Sequence, residues 1–326
     1  MDAVLEVREL RKSFLTPMTR RRVEALKGVT FSIPAGQITG FLGANGAGKT
    51  TSIKCILELA FPDSGEIFFF GQRGLSREAK ARIGFLPERP YFYDYLTGRE
   101  FLTFYAKLSG RVGKTELPQR VNALLERVGL GHAKDRPLRG YSKGMLQRVG
   151  IAQALIHRPE FVILDEPMTG LDPDGRFEVR ELIKEVAAQG TAVFFSSHLL
   201  PDAETLCQRL VILKKGELLY QGPTSGLFEN VDTSWRIVYR PSESLRKANS
   251  VETQQRQVAT VTQVPNEVCE LEVHSVDELQ KQIDALRASG SEIREVGLNK
   301  MSLEEIFVKM AFDRNPVSSH SGEAVT

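Results

Sequence analysis

From Gln37 onward, short apolar runs alternate with longer stretches of helical periodicity. ITGFLG (38–43) precedes a segment in which Ile53, Ile56 and Leu57 recur at helical spacing. EIFFF (66–70) and ARIGFLP (81–87) read as strands, and the segments Phe101 to Leu108 and Val121 to Val128 read as helices. FVILDEP (161–167) reads as a buried strand, followed by a helix around Val179 to Val186 and a second buried strand in TAVFFSSH (191–198). Near-continuous apolar strands separated by helices predict an α/β domain whose parallel sheet is covered on both faces. RLVILKKGELLYQG (209–222) predicts a hairpin turning at Lys215 and Gly216. In YSKGMLQR, Ser142 is a helix-capping type, and Met145, Val149, Ala152, Leu155 and Ile156 follow at helical spacing.

The pattern changes after Pro223. Residues 241–257 are polar and weakly patterned, which predicts a loop or linker. Beyond it come a strand in CELEVH, a helix with a Ser275–Glu278 capping box and a stop at Gly290, and a strand in EIREVGL. A second box, Ser302 with Glu305, opens a last helix. The expected organisation is one large domain over 1–230, a small α+β domain over 231–312 and a disordered tail over 313–326.

Composition narrows the function classes. The 326 residues are 41% hydrophobic, enough for a substantial core. With 43 basic against 41 acidic residues the net charge is +2, which argues against a dedicated nucleic-acid binder. The dense basic run Arg20, Arg21, Arg22 predicts a solvated loop. Cys55, Cys207 and Cys269 lie far apart without metal-ligand spacing, as suits a reducing compartment. The amino terminus lacks the apolar run of a secretory leader, and no apolar run is long enough to span a bilayer, so a membrane role requires a partner.

Candidate chemistry begins at GANGAGKT, Gly43 to Thr50, a G-x-x-x-x-G-K-[ST] match between a predicted strand and a predicted helix. Gly43, Gly46 and Gly48 let backbone N–H groups fold around a phosphate at a helix N-terminus. Lys49 brings a point charge to the β- and γ-phosphates, and the Thr50 hydroxyl is a Mg²⁺ ligand type. FVILDEP places Asp165 at the C-terminal end of a buried strand, where open α/β sheets bind ligands. Asp165 is then the second Mg²⁺ ligand, and Glu166 the residue that orients the attacking water.

These motifs, in this order over about Val4 to Pro223, resemble the ATP-binding subunit of an ABC transporter. The resemblance implies a P-loop NTPase fold of the ABC type with a helical signature subdomain over about 89–157. It assigns nucleotide contacts to Asn45 and Thr51 as well, and makes YSKGM the signature motif, more commonly LSGGQ. Asp172, in MTGLDP, corresponds to the D-loop; His198 to the switch histidine; Phe14 to the aromatic that stacks on adenine; and Glu88 to a position where many members carry glutamine, reaching Mg²⁺ or water. Lys143 and Met145 depart from LSGGQ, whereas Ser142 and Gly144 keep it. The SKGM form resembles a branch that serves exporters. A basic insertion, TPMTRRR, separates Phe14 from the next strand.

The implied function is an ATPase with ATP and Mg²⁺ as cofactors. Two subunits, identical or not, meet head to tail so that Ser142 and Gly144 of one close over the γ-phosphate held by the other. Closure drives membrane-spanning permease subunits, so the chain is expected at the cytoplasmic face of the membrane, with no nucleic-acid partner. The aromatic stretch Arg89 to Gly98 is the candidate contact, with packing inside the helical subdomain as its alternative. Two other classes stay open: a non-transport ABC ATPase acting on nucleic acid or ribosomes, and a regulatory ATP-binding module. Near-neutral charge and a single phosphate loop count against the first; intact Glu166 and His198 count against the second.

Overall fold

The computed structural model describes residues 3–15, 21–228, 234–242, 261–264, 268–299, 303 and 305–306. Ser302 of the Ser302–Glu305 box, the tail over 313–326, Arg20 and almost all of the 241–257 linker lie outside the described residues. The chain divides into two compact units, with the boundary between Gly226 and Leu227.

The first unit holds two sheets. The apolar runs form the larger one. Strands β3 (Ile38–Leu42), β6 (Ile83–Leu86), β7 (Phe161–Leu164), β8 (Ala192–Ser197) and β9 (Arg209–Lys214) pair in parallel in the order β9-β3-β8-β7-β6, and β10 (Glu217–Pro223) adds an antiparallel edge beside β9. All residues of β3, β7 and β8 are buried, as both-face coverage requires. The smaller sheet is antiparallel. A long hairpin of β1 (Ala3–Leu15) and β2 (Arg22–Pro34) is joined by β4 (Ser64–Phe69) and the short β5 (Gln72–Arg73) in the order β2-β1-β4-β5. The EIFFF run therefore belongs to this sheet rather than to the parallel one. Phe31 of β2 meets Phe41 and Phe194 of the parallel sheet at ring separations of 5.5 and 5.9 Å, so the two sheets share one core.

Helices α1 (Lys49–Ile56), α2 (Arg77–Ala81), α6 (Pro173–Ala188) and α7 (Leu200–Leu206) connect these strands. The ARIGFLP run splits: α2 ends at Ala81 and the strand begins at Ile83. Between β6 and β7 the chain inserts α3 (Gly98–Ser109), α4 (Leu117–Arg127) and α5 (Lys143–Leu155), which pack on one another through residues such as Phe101, Leu102, Val121 and Leu124. Thr97 and Glu100 exchange hydrogen bonds in a capping box that starts α3. Gly84 lets α5 come close to β6: a side chain there would collide with the Ala154 carbonyl.

The second unit, Leu227–Phe307, contains an antiparallel sheet of β11 (Ser234–Arg240), β12 (Val261–Val264), β13 (Val268–Val273) and β14 (Glu292–Asn299), ordered β12-β13-β11-β14, with α8 (Val276–Ala288). Ile237, Tyr239, Leu271 and Val273 alternate inward and pack with Leu279 and Leu286 of α8. Ser275 accepts from the Glu278 N–H at 3.1 Å, but the return bond from Glu278 goes to the His274 N–H at 3.4 Å, one residue earlier than a capping box.

Candidate functional site

The loop Gly43–Gly48 leaves the C-terminal end of β3 and runs straight into α1. Its glycines are forced by space as much as by torsion. A Cβ at Gly43 would sit 2.6 Å from the Leu213 carbonyl, and one at Gly48, which has φ +111, would sit 2.9 Å from the Ala25 carbonyl. The loop is thus clamped between β9 and β2. Gly46, at φ +80, faces open space. Asn45 is exposed, while Thr50 and Thr51, half-buried, occupy the first turn of α1. That helix start has no side-chain cap, and its first turn contains no acidic residue, so the helix N-terminus presents its positive end to the loop.

Lys49 is only 6% exposed; its Nζ donates to the Gly43 carbonyl at 2.6 Å and stands 3.6 Å from Glu166 Oε1. Ser196, on the strand next to β7, organises the acidic pair. Its Oγ donates to Asp165 Oδ1 at 2.6 Å and accepts from the Glu166 N–H at 2.8 Å. Asp165 is 3% exposed, and burial pushes its carboxyl above the ordinary carboxylate range. The Ser196 hydrogen bond pulls it back, the charges of Glu88 and Glu166 push it up again, and a Thr50 hydrogen bond lowers it. Glu166 adopts φ +52, a left-handed conformation that costs a non-glycine residue about 1–2 kcal/mol. Its carboxylate accepts from Thr169 Oγ1 at 2.9 Å and faces His198 Nδ1 at 2.7 Å. Lys49, Asp165, Glu166 and His198 therefore meet in one cluster, with Thr50 and Glu88 at its border.

The set fits a hard divalent cation held together with a phosphate. Among the described residues, no three carboxylate, imidazole or thiol groups converge to chelate a metal unaided. Thr50 and Asp165 supply the one hydroxyl and one carboxylate that Mg²⁺ takes when the remaining ligands are phosphate oxygens and water.

The comparisons with known proteins point the same way. The ABC transporter family model matches residues 26–169. An uncharacterized ABC transporter ATP-binding protein of Synechocystis sp. is 39% identical over 97% of this chain and 87% of its own length. The chain belongs to the ABC transporter ATP-binding proteins. The bacitracin transport ATP-binding protein BcrA of Enterococcus faecalis is 38% identical over 67% of this chain and 69% of its own. A solved ATP-binding subunit of an ABC transporter superimposes with TM-score 0.61 at 31% identity, over 69% of this chain and 91% of that one. This chain is accordingly an ATP-binding subunit of an ABC transporter and an ATPase. No helix of the described residues is long and apolar enough to cross a membrane.

The remaining family positions of this ATP-binding subunit lie elsewhere on the first unit. Ser142 is the N-cap of α5, accepting from the Met145 N–H at 3.3 Å, and Asp172 is the N-cap of α6, accepting from the Gly175 N–H at 3.0 Å. Both, with Gly144, line an open cavity of about 430 Å³ that also holds Lys143 and Gly170. Among the described residues, no hydrogen bond or ion pair joins Ser142 or Gly144 to the 43–50 loop. Phe14 is 46% exposed on β1, paired with Val23, with Lys12 Nζ 5.2 Å from its ring centre. Leu15 pairs with Arg22, so the last arginine of the basic run is not in a solvated loop: it opens β2 and stands 3.2 Å from Asp63. Sequence reading missed Ser196 and Thr169. Serine in a fully buried strand, beside the strand that carries the acidic pair, was the available signal for the first.

Proposed function

We propose that two copies of this chain, or this chain and a similar one, close head to tail around two Mg·ATP, each site combining the 43–50 loop of one chain with Ser142 and Gly144 of the other. The observation that carries this is the open cavity at the signature helix. Its N-terminus points Ser142 outward, and it contains none of the chain's own phosphate-loop residues. Gly43, Asn45, Gly46, Gly48, Lys49, Thr50 and Thr51 hold the phosphates, and Phe14 offers its exposed ring to the adenine. Thr50 and Asp165 hold Mg²⁺, with Glu88 beside them. When bound, the ion neutralises charge on the β- and γ-phosphate oxygens. Glu166 orients and activates water, His198 stands against it, and Asp172 lies where the two chains meet.

Transport is powered through separate membrane-spanning subunits at the inner membrane face. The aromatic stretch divides in a way that supports a docking role. Phe92 packs inward on Phe101 at 5.5 Å, whereas Tyr91 and Tyr95 are 82% and 66% exposed. Export is the favoured direction, in keeping with the SKGM form and the likeness to bacitracin transport subunits.

The test is a mixture of two damaged chains. Ser142→Arg and Lys49→Ala homodimers each lose both sites, but their heterodimer regains one. With Glu166→Gln in both chains, tagged heterodimers should trap about one ATP per pair. Trapping only when Lys49 and Ser142 are both intact in one chain overturns the head-to-tail reading.

A further inference from the structure

Asp202, in the first turn of α7, is an acidic residue that the chemistry above does not use. It is 4% exposed. One oxygen stands 3.7 Å from Arg180 Nη1; the other, Oδ2, is sealed from solvent without a hydrogen-bond partner. Arg176, one turn earlier on α6, has a sealed Nε that also lacks a partner. A buried carboxylate and a half-buried guanidinium, each with a sealed atom whose bonding capacity is unmet, are costly, and native interiors rarely keep such atoms. Burial pushes the Asp202 carboxyl up, and Arg176 is the strongest charge drawing it back, ahead of Arg180 and His198. Asp202 also lines the same small cavity as Glu166 and Thr169.

The position of α6 gives this cluster a purpose. α6 begins at Asp172. Glu178 on α6 takes an ion pair at 3.0 Å from Arg148 of α5, the signature helix. Arg180 stands 3.7 Å from Asp202, which follows His198 in the first turn of α7, and the charge of Arg176 acts on the same carboxyl. α6 therefore joins, on one rigid element that starts at Asp172, an ion pair to the signature helix and the two arginines whose charges act on Asp202, and the His198 charge acts on the same carboxyl. We propose that Asp202 is a positioning residue: through Arg176 and Arg180 it sets where His198 stands against Glu166, and so passes the state of the signature end of a chain to the hydrolytic end of the same chain. The unpaired Arg176 and Asp202 atoms come together when α6 shifts as the second chain arrives. This rests on the head-to-tail reading above.

The experiment measures steady-state ATP hydrolysis by full-length Asp202→Asn, Arg176→Gln and the double variant, with Ser142→Arg as a control. Each single variant is expected to lower kcat about tenfold, within the usual range for a coupling residue, with KM for Mg·ATP within about twofold. The double variant falls no further than either single, because one link is broken only once. Melting midpoints check folding; if Asp202→Asn does not fold, Arg176→Gln alone carries the test. A kcat within twofold of wild type for the folded single variants, or losses that multiply in the double, overturns the proposal. So does a KM that rises as kcat falls. Full activity of Ser142→Arg would overturn the head-to-tail reading instead, so the two failures are distinguishable.

Discussion

The two ends of the first unit's chemistry are built differently. At the phosphate loop the polar groups are already bonded to one another, and Lys49, Asp165 and Ser196 are buried: Lys49 to Gly43, Ser196 to both members of the acidic pair, and the more exposed His198 to Glu166. At the signature cavity Ser142 and Asp172 do nothing beyond capping their own helices, and Ser142 stands in solvent. A buried charged cluster must be satisfied within its own chain, because desolvated ions without partners are too costly to keep. An exposed helix end carries no such demand and stays free for a phosphate from outside. One end is preorganised; the other, on the head-to-tail reading proposed, is half of a site.

The largest expected effect tests the preorganised end. Glu166→Gln should retain ATP binding while turnover falls about a hundredfold or more, the scale of losing a general base. Steady-state hydrolysis within a few-fold of wild type would remove Glu166 from the role proposed for it. Lys49→Ala acts on binding instead. Losing a charge-assisted contact worth about 1.5–3 kcal/mol weakens ATP affinity roughly 10- to 100-fold by titration calorimetry; an unchanged Kd would place the phosphates elsewhere.

Stability separates the two ends further. The Asp165 carboxyl is raised in the folded chain, so between the ordinary carboxylate range and that raised value the folded state binds the extra proton. Stability contributed by this group is therefore full at acid pH and lost as pH rises through the window. Without Mg²⁺, Asp165→Asn should raise the neutral-pH melting midpoint by about 2–4 °C, the scale of 1 kcal/mol for a chain this large, with the gain vanishing in acid. A lower neutral midpoint would mean that the charged form is stabilised by its neighbours. The smallest effect belongs to the open end. Ser142→Ala removes only a helix cap from the free chain and should cost about 1 kcal/mol in chemical denaturation. A cost several times larger would show that Ser142 already has structural partners and that the comparison is drawn too sharply.

Much of this was legible before any coordinates. Strand, glycines, lysine and threonine stand consecutively in ITGFLGANGAGKT, and the apolar run FVIL points directly at Asp165 and Glu166. The helix starts at Ser142 and Ser275 were also readable, since capping depends on residues three or four apart. The hairpin of β1 and β2 was not, because its register shifts interrupt strict alternation. Nor was the partition of EIFFF into a separate sheet, which depends on pairing with a strand some sixty residues earlier, Leu5 opposite Phe69.

The amino-acid sequence by itself determined the loop proposed to hold phosphate, because such a loop is a local object: torsion, N–H direction and helix start all arise within eight consecutive residues, Gly43 to Thr50. Only the tertiary structure decided how those groups are held. Ser196 reaches Asp165 across 31 positions of chain, His198 reaches Glu166 across 32, and Glu166 is held in a left-handed conformation that is costly for a non-glycine residue. Such contacts have no periodicity to betray them; they exist because β7 and β8 lie side by side in a buried parallel sheet, where every polar group must find its partner on the neighbouring strand or go without.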